Sequence, residues 1–175
     1  MSDMGAPEHI RPSDPHDLVR GWYKEYRSGV YRYLRSLLGN EADADDAFQA
    51  SFVSLLRQGT ALARVRQPKA YVYRTARNCA ISLLRKNEQA PMPLDELGHE
   101  PAAKADQRTE LADLLDWALA KLPSVQREVV TLKVCDQMTF REVAKVTNML
   151  LPTAASHYWR GMRTLRLLLN NHHEH

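Results

Sequence analysis

A chain of 175 residues with 44% hydrophobic and 26% charged side chains can build one medium domain or two small ones with real cores, which excludes a disordered polymer. Its two cysteines, Cys79 and Cys135, are too few for a disulfide framework or a zinc site, and no apolar run reaches the length of a membrane span. The N-terminus MSDMGAPEHIRPSDPHD lacks the basic-then-apolar pattern of a signal peptide, so the cytoplasm is the expected compartment.

Residues 1–16 are rich in Pro, Gly and charge and read as a lead-in without chemistry. From Asp17 the positions Leu18, Trp22, Tyr26, Val30, Tyr33, Leu34 and Leu37 recur at helical spacing. Gly21 and Gly29 each cost such a helix up to about 1 kcal/mol against Ala, so they mark either close packing or a break into two pieces. Gly39-Asn40 supplies a stop and a new N-cap. Glu41, Asp43, Asp45 and Asp46 follow at the start of the next helix, where its dipole stabilises negative charge by about 0.3–1 kcal/mol per group. Ala47, Phe48, Phe52, Leu55 and Leu56 then form a stripe that is mostly core, edged by Asp46 and Gln49.

From Arg57 to Lys86 the sign of the charge changes completely. Arg57, Arg64, Arg66, Lys69, Arg74, Arg77, Arg85 and Lys86 lie there without one Asp or Glu, although the net charge of the whole chain is only +3. Pro68 fits the first position of a helix. On that helix Val72, Ala76, Cys79 and Leu83 form an inward stripe, opposite Arg74, Arg77, Asn78, Ile81 and Arg85, with Tyr71 and Tyr73 on the flanks. A charged face is ordinarily just solvated, but ordinary surfaces mix both signs. Cations without local counter-ions point to an external polyanion, and bases of a single strand stack on neighbouring rings for about 1–3 kcal/mol each. Tyr71 or Tyr73 could equally cap a small core. The segment Gln58 to Gln67 reads as a loop with Gly59 and two arginines, suited either to approach nucleic acid or simply to connect helices.

DADDAFQASF from Asp43 to Phe52, followed by PKAYVYRTARNCAISLLR from Pro68 to Arg85, resembles region 2 of extracytoplasmic-function RNA polymerase sigma factors, whose pattern runs close to DAEDLVQETF and then AWLYRIARNLAIDLLR. The resemblance implies that Asp46, Gln49, Phe52 and Leu55 dock on the β′ clamp helices of core polymerase. It also implies that Arg64, Arg66, Lys69, Tyr71, Tyr73, Arg74, Arg77, Asn78 and Arg85 melt and read the −10 promoter element. Ala50 replaces the usual Glu, Ser82 the usual Asp and Tyr71 the usual Trp.

Residues 87–108, with three prolines, a glycine and no sustained period, read as a flexible tether between two domains, 17–86 and 109–169. The tether is net acidic, so it could cross a basic surface on a partner or shield one in this chain. Beyond it Leu111, Leu114, Leu115, Ala118, Leu119 and Leu122 make one helical stripe, and Val125, Val129, Leu132 and Val134 to Cys135 another. TFRE from Thr139 matches a capping box. A short helix, a turn and a last helix from Pro152 to about Leu169 give a helix-turn-helix. The expected fold is therefore all-α, two small helical domains on a tether.

In the last helix Ala154, Tyr158, Met162, Leu165 and Leu169 share one face and Thr153, Ser156, His157, Arg160 and Arg163 the other, with no acid from Val143 through Leu169. Small polar residues to approach base edges, with cations beyond them for phosphates, suit a recognition helix. LPSVQREVV, TFREVAKV and TAASHYWRGMRTLR resemble region 4 of the same family, which implies binding of the −35 element by Thr153, Ser156, His157, Arg160 and Arg163, and of the polymerase β flap. The turn NMLLP departs from the usual Gly and Ser-Pro cap; Asn148 tolerates the left-handed conformation, but Leu151 offers no capping oxygen, a loss of about 1 kcal/mol. Ala154-Ala155 replaces the usual Val-Lys.

The leading reading is a promoter-specificity subunit with core polymerase, promoter DNA and, by family, an anti-sigma factor as partners. Such a partner can hold it at the inner membrane face. The alternative is an adaptor descended from such a subunit, whose second domain binds protein. An enzyme lacks a constellation: there is no phosphate-cradling loop, no His-Glu-x-x-His, and no small-molecule substrate or cofactor site. The tail NNHHEH has donors that suit zinc, copper or nickel, but without a second ligand cluster no metal is assigned.

Overall fold

A computed structural model describes residues 14–89 and 110–173. The expected lead-in before Asp14, the tether over 90–108 and the side chains of residues 172–175 lie outside the described residues.

Local signals set the helix ends. Asp14 caps α1 (Pro15–Leu38) by accepting from the His16 amide at 2.9 Å, with Pro15 in the first turn. α1 therefore begins two residues before the expected Asp17, and it runs unbroken past both glycines. Gly39 closes it at φ 78° with its N–H on the Arg35 carbonyl, and Asn40 opens α2 (Glu41–Arg57) by accepting from the Asp43 amide at 2.8 Å. The expected loop Gln58 to Gln67 is instead mostly a 3-10 turn, Gly59–Arg64, anchored by the buried Leu62. α3 (Pro68–Gln89) takes in the first three residues assigned to the tether.

The second module comprises α4 (Glu110–Ala120), α5 (Ser124–Val130), a π-helical turn (Thr131–Cys135), α6 (Phe140–Thr147) and α7 (Leu151–His173). The capping box at α6 forms in both directions: the Glu142 amide donates to Thr139 Oγ1 at 3.2 Å and the Thr139 amide to Glu142 Oε2 at 2.8 Å. Asn148 ends α6 in the left-handed conformation, φ 55° and ψ 39°, so the helix-turn-helix keeps its turn without glycine. The described residues contain no strand.

Burial separates the two glycine readings. A Cβ on Gly21 would meet nothing within 4 Å, whereas one on Gly29 would lie 2.2 Å from the Tyr73 hydroxyl and 3.1 Å from Asp136 Oδ1. A Cβ on Gly161, on α7, would also be too close, 2.7 Å from Val130 Cγ2. Gly21→Ala is therefore expected to stabilise the protein by up to about 1 kcal/mol through helix propensity. Gly161→Ala is expected to lose up to about 2 kcal/mol, since overpacking of about 1–3 kcal/mol offsets or exceeds the same propensity gain. Urea unfolding of the two variants checks both signs.

The modules share one core. Val30, Tyr33, Leu34, Val72, Tyr73 and Ala76 of the first module form a continuous buried cluster with Val129, Leu132, Met138, Val143 and Val146 of the second. Ala118, Leu119, Leu122, Val130 and Leu165 make a smaller cluster within the second module alone.

Candidate nucleic-acid interface

The buried face of α3 is wider than the expected stripe. Val72 and Ala76 are buried as expected and Ala80 with them, but Ala70 and Tyr73 are buried too, Tyr73 against Tyr33 and Gly29 of α1 and Asp136 of the second module. Cys79 and Leu83, assigned to the inward stripe, are only half-buried.

On the side of α3 turned away from α6, Arg74, Asn78 and Arg85 are exposed, with Arg64 and Arg66 exposed on the preceding turn. Beside them a cleft of about 780 Å³ opens between α2 and α3. Tyr71, Arg74, Thr75, Asn78, Ser82 and Gln58 line it, and Tyr71 donates its hydroxyl hydrogen bond to Gln58 Oε1. Ala50 and Ser82, which replace acids of the family pattern, both lie in the lining; Asp46 is its one carboxylate, against Arg74 and Lys86. The cleft thus combines an aromatic ring, amide and hydroxyl groups and cations, a donor set suited to a nucleobase and its phosphate.

Three residues expected to touch the −10 element are held within the protein. Tyr73, at 2% exposure, donates to Asp136 Oδ1 at 3.0 Å. Arg77 is held by Glu128, Nε to Oε1 at 2.7 Å and Nη2 to Oε2 at 3.4 Å, and Tyr33 donates to the same Oε1 at 2.7 Å. Lys69 donates to the Asp136 carbonyl. Arg77 and Tyr73 therefore do not look outward, because carboxylates from the second module draw them in. Arg32 completes the cluster, donating to Asp136 Oδ1 at 2.6 Å and to the Cys135 carbonyl at 3.1 Å. Asp136 Oδ2 is buried without a hydrogen-bond partner. Burial raises the Asp136 pKa above the ordinary carboxylate value, outweighing the opposing pull of Arg32, Tyr73 and Lys69.

On α2, Asp46 and Gln49 are exposed as expected, but Phe52 is 8% exposed and Leu55 fully buried. Phe52 is taken up by ring contacts with Tyr23 at 5.0 Å and Phe48 at 5.1 Å, so neither residue can face a partner while the domain is folded. The exposed apolar positions in line with Asp46 and Gln49 are Val53 and Leu56. Helical spacing from Asp46 could have found them.

On α7, Thr153, Ser156, Arg160 and Arg163 form an exposed stripe, while His157 is half-buried with Nδ1 enclosed and unpartnered. Ala154 and Leu165 are buried beneath it. Trp159, at 65% exposure, borders the same stripe, and the sequence reading missed it. Its spacing of three from Ser156 was the available signal. Among the described residues no group of three or more His, Cys, Asp or Glu could hold a metal, and no helix is long and apolar enough to cross a membrane.

Comparison with known proteins places the same two modules. Sigma-70 region 2 matches residues 22–90 and Sigma-70 region 4 matches residues 112–165. The chain is 30% identical to an RNA polymerase sigma-E factor of Streptomyces avermitilis, over 82% of this chain and 83% of that one. It is 24% identical to the ECF RNA polymerase sigma factor SigW of Bacillus subtilis, over 83% and 86%. In fold it is similar to the sigma factor RpoE solved with the anti-sigma factor NepR from Bartonella quintana, at a TM-score of 0.66 and 19% identity, over 86% and 98% of the two chains. It is similar also to CnrH solved with the cytosolic domain of CnrY, at 0.62 and 19%, over 89% and 90%.

Proposed function

This chain belongs to the extracytoplasmic-function RNA polymerase sigma factors, and from that premise we propose how its surfaces divide the work of starting transcription. The exposed stripe of α2, Asp46, Gln49, Val53 and Leu56, docks on the β′ clamp helices of core polymerase. The exposed strip of α3 and the adjoining cleft take the non-template strand of the −10 element, with an extruded base in the cleft. The stripe of α7 enters the major groove at −35, and the second module meets the β flap. The observation that carries this reading is the cleft itself: a roomy site walled by Tyr71, Asn78 and Arg74 on a helix without one acid from Pro68 to Lys86. Holding a base out of the stack costs a few kcal/mol, and such a site offsets it.

The solved likenesses with NepR and CnrY support an anti-sigma partner for this chain as well, in the cytoplasm or held at the inner membrane face. Co-elution of the purified chain with core polymerase on gel filtration tests the docking; migration apart from core would count against it. Arg160→Ala is expected to lower the log–log salt slope of promoter binding by about 0.9, the value of one phosphate contact. A footprint over −35 that persists unchanged in this variant would favour the adaptor.

A further inference from the structure

The departures from the family pattern at the start of α7 fall in one line. Leu151 and Ala155, which stand where a capping side chain and a cation are usual, are each four residues from the next member of a row that ends at Trp159. At helical spacing the three share one flank, beside the polar stripe of Thr153, Ser156 and Arg160. Leu151 is 46% exposed and Trp159 65%, with Ala155 half-buried between them. The indole is braced from within the protein. Its ring meets Tyr158 at 5.0 Å and Tyr158 meets Phe140 of α6 at 5.3 Å, both edge to face, and Tyr158 packs against both hydrophobic clusters. No Lys, Arg, Asp or Glu occurs between Lys145 and Arg160, so the first turns of this helix carry no fixed side-chain charge.

Resting on the assignment of α7 to the major groove at −35, we propose that Leu151, Ala155 and Trp159 read the C5-methyl groups of thymines there, as specificity-determining residues for this chain's promoters. The major groove presents one apolar group, the thymine methyl, and apolar side chains are its partners. A cytosine at the same place has no methyl and turns its N4 amine toward the groove. Against an indole or a leucine that donor loses water and gains no acceptor, so the flank selects against it. A lysine at position 155 would add a phosphate contact that is blind to sequence, whereas alanine leaves room for a methyl. From Leu151 to Trp159 the helix rises about 12 Å, which equals between three and four base steps of about 3.4 Å. The thymines therefore fall within a window of about four consecutive base pairs, while Arg160 and Arg163 beyond it hold phosphates.

The test uses holoenzyme assembled from core polymerase and the full chain, on a promoter fragment recovered by run-off transcription. Uracil replaces thymine at single positions of the −35 element, or throughout the spacer as a control; base pairing is kept and only methyls are lost. Competition binding is read for wild type, Trp159→Ala and Leu151→Ala, with circular dichroism to verify the helices. For wild type, each uracil under the flank is expected to weaken binding about fourfold, the effect of exposing one CH₂-sized apolar group, and spacer uracil by less than about twofold. Trp159→Ala is expected to bind the thymine duplex more weakly and to become indifferent to uracil at one position, and Leu151→Ala at another. Should either variant lose helicity, the other decides. Recovered promoters without thymine at −35, a wild type indifferent to uracil there, or undiminished sensitivity in the folded variants overturns the proposal. A wild type that leaves no footprint over −35 would sink the groove assignment and this reading with it, a result distinct from a footprint that ignores the methyls.

Discussion

Arg74→Ala is expected to abolish open-complex formation while leaving the chain folded and bound to core polymerase. Arg74 is exposed and lines the cleft one turn from Asn78, so its truncation empties no buried site. With an extruded base in the cleft, Arg74 is one of the two cations of its lining, with Lys86. Its loss removes a charge-assisted contact from a step that already costs a few kcal/mol per base. Permanganate footprinting of unpaired thymines around −10 reads the outcome, with gel filtration against core as the companion measurement. Equal loss of melting and docking would show that Arg74 serves the fold or the polymerase contact instead. Arg77 is the instructive contrast. Its guanidinium is tied to Glu128, so Arg77→Ala changes module docking and melting together and cannot separate them.

The second large effect distinguishes the two sides of α2. Leu55→Ala is expected to destabilise the protein by about 2–5 kcal/mol, the usual cost of emptying a buried leucine site, and to lose polymerase binding only as the domain unfolds. Leu56→Asp, one residue on but 39% exposed, is expected to leave the free energy of unfolding in urea within about 0.5 kcal/mol of wild type and still abolish co-elution with core. A variant at Leu56 that still co-elutes would move the docking surface off this stripe.

Much of the fold was legible because its signals are local. The Gly39-Asn40 junction, the Thr139 to Glu142 box and the left-handed Asn148 each act within a few residues, and each forms as the sequence indicates. The inward face of α7 follows from helical spacing alone, with Ala154 and Leu165 buried on it. What spacing cannot supply is the identity of a covering surface. Arg77 and Tyr73 stand on the charged and aromatic side of α3, and nothing near them in sequence announces Glu128 or Asp136, 51 and 63 residues away. A run without acids was read as a run without counter-ions, yet tertiary structure brings the acids from another module. Folding uses two carboxylates of the helix-turn-helix module for this, Glu128 and Asp136.

Phe52 and Leu55 were misplaced for a different reason. On α2 the apolar stripe was recognised as core, but its residues were also assigned to the partner, and one side chain cannot serve both. The ring contacts of Phe52 settle the matter in favour of the core. Gly29 shows the reverse case, in which one of two open readings, close packing, is selected by the Tyr73 hydroxyl lying where a methyl would stand.

The most direct test is run-off transcription from a genomic fragment library with purified core polymerase, with and without this chain. A defined start on a small subset of fragments, seen only when the chain is added, is the expected result. Transcripts that are absent, or identical with and without it, would contradict its role as the subunit that selects promoters.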